Sequence, residues 1–140
     1  MIIDSSVLLS AFFPDEVQPQ AQALIREHVA RQQPLKAPDL LPYELTNAVW
    51  QAERRGRISR QQADQILDSM RGLEIEILPV RWAESLPLAR QFERSAYDAA
   101  YLTLAERLGE KLITGDLRLY NAVKGKLDWV LWVGDYASLR

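Results

Sequence analysis

Short apolar runs and longer amphipathic stretches alternate along this chain of 140 residues. The short runs are typical of strands buried on both faces, whereas the longer stretches repeat apolar residues every three or four positions, as one face of a helix does. Strands that alternate with helices predict an α/β fold, in which helices cover both faces of a central parallel sheet. The predicted strands or extended pieces cover residues 1–4, 34–38, 74–78, 111–114 and 129–133.

Residues typical of helix ends separate the amphipathic stretches. Asp39 and Ser59 precede two of the stretches in the position of an N-cap, and Gly109 follows another in the position of a C-terminal glycine. His28 lies among apolar residues on one face of the first stretch, so we predict a packed, partly buried histidine. Counted with their caps, the predicted helices cover residues 17–33, 39–55, 59–72, 82–94 and 97–108.

The composition excludes several classes of protein and of site. The chain has no Cys and one His, which excludes disulfides, thiolate metal sites and any mechanism that needs two imidazoles. The first residues lack the basic segment of a signal peptide, and no apolar run approaches the ~20 residues of a membrane-spanning helix. We therefore expect a soluble, cytoplasmic protein without membrane association, folded as one domain over residues 1–140.

The sequence contains no glycine-rich phosphate loop and no G-x-S-x-G nucleophile motif. The candidate catalytic side chains are therefore carboxylates. Asp4 and Asp116 each follow a predicted strand, while Glu44 and Asp98 lie in the first turns of predicted helices. Taken alone, Asp4 and Asp116 could be helix caps, Asp98 a partner of the helix dipole, and Glu44 a boundary residue with its carboxylate in water. Asp4 and Asp116 together point to one crevice, because the carboxyl ends of parallel strands meet at one edge of the sheet.

Four segments around these acids make the chain resemble the PIN-domain family, and within it the VapC-type ribonuclease toxins of toxin–antitoxin pairs. The segment SAYDAAYLTLAE is the most distinctive of the four, and their order and spacing carry the resemblance, which covers nearly the whole chain. The segments are Met1–Leu9, Tyr43–Val49, Ser95–Glu106 and Leu112–Ala122.

The resemblance implies a three-layer α/β/α sandwich with an acidic pocket that holds Mg²⁺ or Mn²⁺ and cleaves phosphodiesters. It assigns catalytic roles to Asp4, Glu44, Asp98 and Asp116. Of these, Asp4, Asp98 and Asp116 are expected to hold the metal, and Glu44 either to ligate through water or to orient the nucleophile. Many relatives carry a further acid or Asn just after the fourth acid, whereas this chain has Arg118 there, so the resemblance implies a first metal more strongly than a second.

The same resemblance implies an RNA substrate, a cognate antitoxin and a homodimer. It therefore predicts a metal-dependent endoribonuclease that is the toxin of a type II pair. Two alternatives stay open: a housekeeping nuclease for RNA processing or for DNA that has no antitoxin, and a catalytically silent PIN-like binding module. The net charge of −2 gives no global attraction to nucleic acid and does not separate these alternatives.

Several neighbours of the acids have two possible roles. The hydroxyls of Ser6 and Thr114 could bond to carboxylates or bound water, or could cap backbone groups. Asn47 lies one turn beyond Glu44, where it could touch a substrate or face solvent. The arginines between residues 54 and 60 could engage an RNA backbone or form a solvated helix end.

Overall fold

The computed structural model describes residues 1–137, in which five short strands form one parallel sheet. Strand β1 lies at its centre and pairs with β2 on one side and with β4 on the other, and the full order is β3-β2-β1-β4-β5. Ile2 and Ile3 of β1 are paired with Leu112 and Ile113 of β4. The strands are β1 Ile2–Ile3, β2 Lys36–Pro38, β3 Glu76–Leu78, β4 Leu112–Thr114 and β5 Val130–Trp132.

Seven α-helices and two 3-10 helices surround the sheet within the described residues. Helix α1 contacts α2 and α3, and α3 contacts α4, while α5 and α6 form a second group in which α6 packs on β1, β2 and β4. The α-helices are α1 Ser5–Phe12, α2 Pro19–Val29, α3 Leu41–Arg54, α4 Arg60–Gly72, α5 Leu86–Phe92, α6 Ala96–Leu108 and α7 Leu117–Val123, and the 3-10 helices are Trp82–Ser85 and Val133–Asp135.

This architecture confirms the predicted α/β class with its central parallel sheet. The strands β1 and β4 are completely buried, as expected for the central strands of a sheet with helices on both faces. Helix α6 is also largely buried, from Ala99 to Ala105, because it lies across three strands. In contrast, the edge strand β3 is partly exposed, with Ile77 40% accessible.

Two of the three predicted helix ends are confirmed, and one is wrong. Ser59 caps α4 in a reciprocal capping box with Gln62, and Gly109 ends α6 in the left-handed region at φ +64°. Asp39 is not the cap, because α3 begins at Leu41, one residue later than a cap at Asp39 requires, while the Asp39 N–H donates to the carbonyl of Leu78. Leu40 takes the N-cap position of α3 instead.

The helix pattern also differs from the sequence prediction at three places, one of which is helix α7 over Leu117–Val123, where no helix range is predicted. Residues 5–12 form helix α1 directly after Asp4, so the opening strand is limited to Ile2–Ile3. The predicted helix over 82–94 divides into a 3-10 turn and α5, because Pro87 fits the first turn of a new helix and Glu93 ends it at φ +52°. Within residues 1–137, no helix combines the length and the apolar character needed to cross a membrane.

His28 is a packed, partly buried residue, as predicted. Its Nδ1 accepts a hydrogen bond from the backbone N–H of Leu35 at 3.0 Å, and its Nε2 lies 2.7 Å from the carbonyl of Leu73. Because Nδ1 accepts, Nε2 carries the proton and donates. The imidazole therefore links the end of α2 to the segments that lead into β2 and β3.

Candidate active site

Asp4 is the most deeply buried acid of the candidate site, with 5% of its surface exposed. It follows β1 and stands at the N-cap position of α1, but its side chain makes no capping bond. Its Oδ2 instead accepts hydrogen bonds from Ser6 Oγ at 2.8 Å and Thr114 Oγ1 at 2.7 Å. Burial raises the pKa of Asp4 to about 6, against the opposing effect of these two bonds.

Asp116 lies beyond the end of β4, the strand that neighbours β1. Its Oδ1 caps α7 by accepting from the backbone N–H groups of Arg118 and Leu119, at 2.9 and 3.4 Å. Its own N–H donates to Thr114 Oγ1 at 3.0 Å. The capping role considered for Asp116 is therefore real, and it fixes the carboxylate at the carboxyl edge of the sheet.

Asp98 lies in the first turn of α6, whose N-cap Ser95 accepts from the Asp98 N–H at 3.1 Å. Its Oδ2 accepts from Arg94 Nε at 3.2 Å, an ion pair between partly buried side chains. Burial raises the pKa of Asp98 and the charge of Asp116 adds to this effect, while Arg94 opposes it. The positive charge of Arg94 therefore favours the ionised form of Asp98.

Glu44 reaches the same edge of the sheet from α3. Its Oε1 accepts a short hydrogen bond of 2.6 Å from the Tyr101 hydroxyl. Burial raises the pKa of Glu44, the charges of Asp4 and Asp98 raise it further, and hydrogen bonds from Tyr101 and Ser5 oppose the shift. Burial and the nearby carboxylates also raise the pKa of Tyr101, so its hydroxyl stays protonated and donates.

The four acids lie within electrostatic reach of one another. The charges of Asp98 and Asp116 act on Asp4, those of Asp4 and Asp98 act on Glu44, and that of Asp116 acts on Asp98. Each of these interactions raises a carboxyl pKa, because like charges disfavour ionisation. The carboxyl edge of the sheet is thus a region of unbalanced negative charge.

The donor chemistry of this region fits a hard divalent cation, because Mg²⁺ and Mn²⁺ take carboxylate oxygens. In residues 1–137, however, no three Asp, Glu or His side chains are arranged as a ready-made metal site. A cation would therefore be held by few protein oxygens and by water, as is common for Mg²⁺.

Three residues that the sequence analysis does not assign to the site contact its acids: Tyr101 and Ser5 bond to Glu44, and Arg94 pairs with Asp98. Tyr101 lies on the apolar stripe of α6 and is 1% exposed, so its hydroxyl needs a buried partner. Arg94 lies four residues before Asp98, a spacing that allows an ion pair at a helix start. Ser6 and Thr114 bond to Asp4, which is one of the two roles considered for them, while Asn47 is exposed.

Comparisons with known proteins agree with this architecture. The family model of the PIN domain matches residues 1–125. Ribonuclease VapC3 of Pyrobaculum aerophilum is 30% identical over 123 residues, which cover 85% of this chain and 91% of that protein. VapC ribonuclease Mb0985 of Mycobacterium bovis is 30% identical over 119 residues, with 85% and 87% covered.

A solved structure gives the same result at the level of the fold. PAE2754 from Pyrobaculum aerophilum superimposes with a TM-score of 0.70 at 27% identity, over 94% of this chain and 89% of that one. The family match spans β1 to α7 and includes all four acids. The chain is therefore a member of the PIN-domain family.

Proposed function

We propose that this protein is a Mg²⁺- or Mn²⁺-dependent endoribonuclease and the toxin of a type II toxin–antitoxin pair. The observation that carries the proposal is the buried Asp4 carboxylate, which is held by two hydroxyls and acted on by the charges of Asp98 and Asp116. Folding such a group next to like charges costs stability, and a cation would offset that cost. The names of the VapC ribonuclease relatives support the choice of RNA as substrate.

In this proposal Asp4, Asp98 and Asp116 hold the metal. When bound, the ion would polarise a phosphodiester oxygen and lower the pKa of a coordinated water. Ser6 and Thr114 orient the Asp4 carboxylate, while Arg94 positions Asp98. These contacts leave few carboxylate rotamers, which suits a site that must be ordered before substrate arrives.

Glu44 is the acid that we assign to the attacking water. Its raised pKa makes it a stronger base than an exposed glutamate, and Tyr101 holds one of its oxygens in place. The other oxygen would accept a hydrogen bond from the water that attacks phosphorus. In this assignment Glu44 acts as the base, while the three aspartates hold the metal.

The remaining parts of the proposal concern the cellular context. We expect one PIN-like nuclease domain over residues 1–140 that acts in the cytoplasm as a homodimer, inhibited by a cognate antitoxin. The names of the VapC relatives support the antitoxin. A housekeeping nuclease without antitoxin remains the second candidate, and a small antitoxin reading frame beside the gene would separate the two.

The test is a cleavage assay with purified protein on total RNA and on a circular RNA. We expect products with Mg²⁺ or Mn²⁺, none with EDTA, and recovery when the metal is added back. The control Asp116→Asn protein, purified in parallel, should be inactive. Cleavage of the circle separates endonuclease from exonuclease action, which matters because a relative with 34% identity over 90 residues is named Exonuclease VapC9. Full activity in EDTA would contradict the proposal.

A further inference from the structure

A cleft of about 630 Å³ opens directly beside the acids. Its inner end is lined by Ser6 and Gly115, which are themselves joined by a hydrogen bond of 2.9 Å from the Gly115 N–H to Ser6 Oγ. Ser6 bonds to Asp4, and Gly115 precedes Asp116, so the cleft is continuous with the candidate active site. Its size lies in the range of clefts that bind small organic ligands, and a nucleotide fits this range.

The indole of Trp132 forms part of the cleft wall at the carboxyl end of β5 and is half-buried. The ring of Tyr120 packs against it, with centroids 5.7 Å apart and planes at 49°. A Cβ at Gly134 would lie 2.7 Å from Trp132 Nε1, so the indole occupies space that exists only because residue 134 is glycine. The ring is therefore held in one orientation from two sides.

Two arginines, Arg55 and Arg57, line the same cleft. Arg57 is engaged there, since it pairs with Asp15 at 2.7 Å and lies over the Phe13 ring at 4.6 Å. Arg55 is exposed and forms no ion pair with any residue that the structure describes. It is thus the arginine of this cleft whose charge remains available to an anion.

We propose that this cleft binds single-stranded RNA beside the scissile phosphate, with a base stacked on Trp132 and a backbone phosphate on Arg55. The inference rests on the proposed ribonuclease function and adds the residues that hold the substrate. Stacking on an aromatic ring is open to any unpaired base, and an arginine reads the phosphate rather than the sequence. A base inside a duplex cannot stack on the indole, so the cleft favours single strands.

Binding is measured by fluorescence anisotropy with a short fluorescein-labelled single-stranded RNA, without added metal and on the non-cleaving Asp116→Asn background. Adding Trp132→Ala should weaken binding roughly tenfold, which lies within the range that stacking of one base contributes. Trp132→Phe should recover part of the loss, which separates stacking from a merely structural role. Trp82→Ala is the matched control, because Trp82 is 89% exposed and lies outside the cleft.

The salt dependence of binding distinguishes the two contacts. Arg55→Ala should reduce the magnitude of the negative slope of log association constant against log salt by about 0.7, the value for one phosphate of a single strand. Trp132→Ala should leave that slope unchanged, and Arg81→Ala serves as the exposed-arginine control. Gly134→Ala should weaken binding as Trp132→Ala does, because the added methyl group displaces the indole without removing it.

Two results would overturn the proposal, and they are distinguishable. In the first, the wild-type protein cleaves the RNA, and the folded Trp132→Ala and Arg55→Ala variants keep its affinity, salt slope and kcat/KM. The cleft then serves another occupant, such as a protein segment, and the ribonuclease function stands. If the wild-type protein does not cleave and the Asp116→Asn protein does not bind single-stranded RNA, both the cleft assignment and the proposed function fail.

Discussion

Thr114 connects Asp4 and Asp116 through its single hydroxyl group. Its Oγ1 donates to Asp4 Oδ2 at 2.7 Å and accepts from the Asp116 N–H at 3.0 Å. Thr114 is completely buried, so neither bond is replaced by solvent. The two strand-end aspartates are therefore placed by one side chain, and changes at Thr114 should affect both.

Thr114→Val should destabilise the protein by roughly 1.5–3 kcal/mol near pH 8, the contribution of a hydrogen bond to a charged group. The loss of stability should be smaller below about pH 4, because Asp4 is then protonated and the hydrogen bond is no longer made to a charged carboxylate. Urea unfolding at both pH values measures the difference. Thr103→Val is the matched control, since the buried Thr103 hydroxyl has no hydrogen-bond partner within the described residues and its loss should be neutral or stabilising. Equal effects of the two substitutions would exclude the bond to Asp4 as the cause.

Asp4→Asn should stabilise the metal-free protein at neutral pH. The folded-state pKa of about 6 exceeds the ordinary 3.8. The contribution of Asp4 to the free energy of unfolding is therefore fully present below pH 3.8 and is lost as the pH rises through 6. The difference corresponds to a penalty on the order of 3 kcal/mol above pH 6, which the amide removes. Urea unfolding in EDTA across this range should show a pH-dependent gap between the proteins. A gap that does not change with pH would mean that Asp4 does not titrate between these values.

Added Mn²⁺ should reverse this order of stability. A ligand that binds only the folded state adds about 4.1 kcal/mol at a thousandfold excess over Kd, which exceeds the penalty on Asp4. Thermal melts with EDTA and with Mn²⁺ should show a rise of Tm in the wild-type protein and little change in Asp4→Asn and Asp116→Asn. Identical shifts in all three proteins would remove these residues from the metal site.

Tyr101→Phe should move the acidic limb of the pH–rate profile to higher pH. The Tyr101 hydrogen bond lowers the pKa of Glu44, so its loss raises that pKa and leaves less of the ionised base at a given pH. The measurement is kcat/KM against pH on a defined RNA. Tyr43→Phe is the control, because Tyr43 is adjacent to Glu44 in sequence but 79% exposed. An unchanged profile would show that Glu44 is not the group that titrates.

His28→Ala should lower the stability of the protein but not its kcat, whereas Asp98→Asn should lower kcat but keep the fold. Removal of the imidazole leaves the Leu35 N–H and the Leu73 carbonyl without their bonds, at a cost of roughly 1–3 kcal/mol each, but kcat should stay near the wild-type value. Asp98→Asn should keep the fold and lower kcat by orders of magnitude. Thermal melts and RNA cleavage on both variants measure the two quantities. The reverse pattern would move the active site away from the acids.

Local sequence patterns determine much of this protein. Apolar periodicity and cap residues such as Ser59 and Gly109 depend on neighbours a few positions away, which is why the α/β class and most elements could be predicted. The positions of Asp4 and Asp116 at strand ends are equally local. Their meeting at one edge follows from the parallel arrangement of the strands.

Only the tertiary structure decides which side chains complete the site. Tyr101 and Glu44 are 57 residues apart, and Thr114 and Asp4 are 110 apart, so their contacts depend on the order of strands in the sheet. Asp39 shows the same limit, because its backbone N–H bonds to the distant Leu78 carbonyl and α3 begins one residue later than the local pattern predicts. Contacts between distant segments form only when the whole sheet is assembled, and no local pattern encodes them.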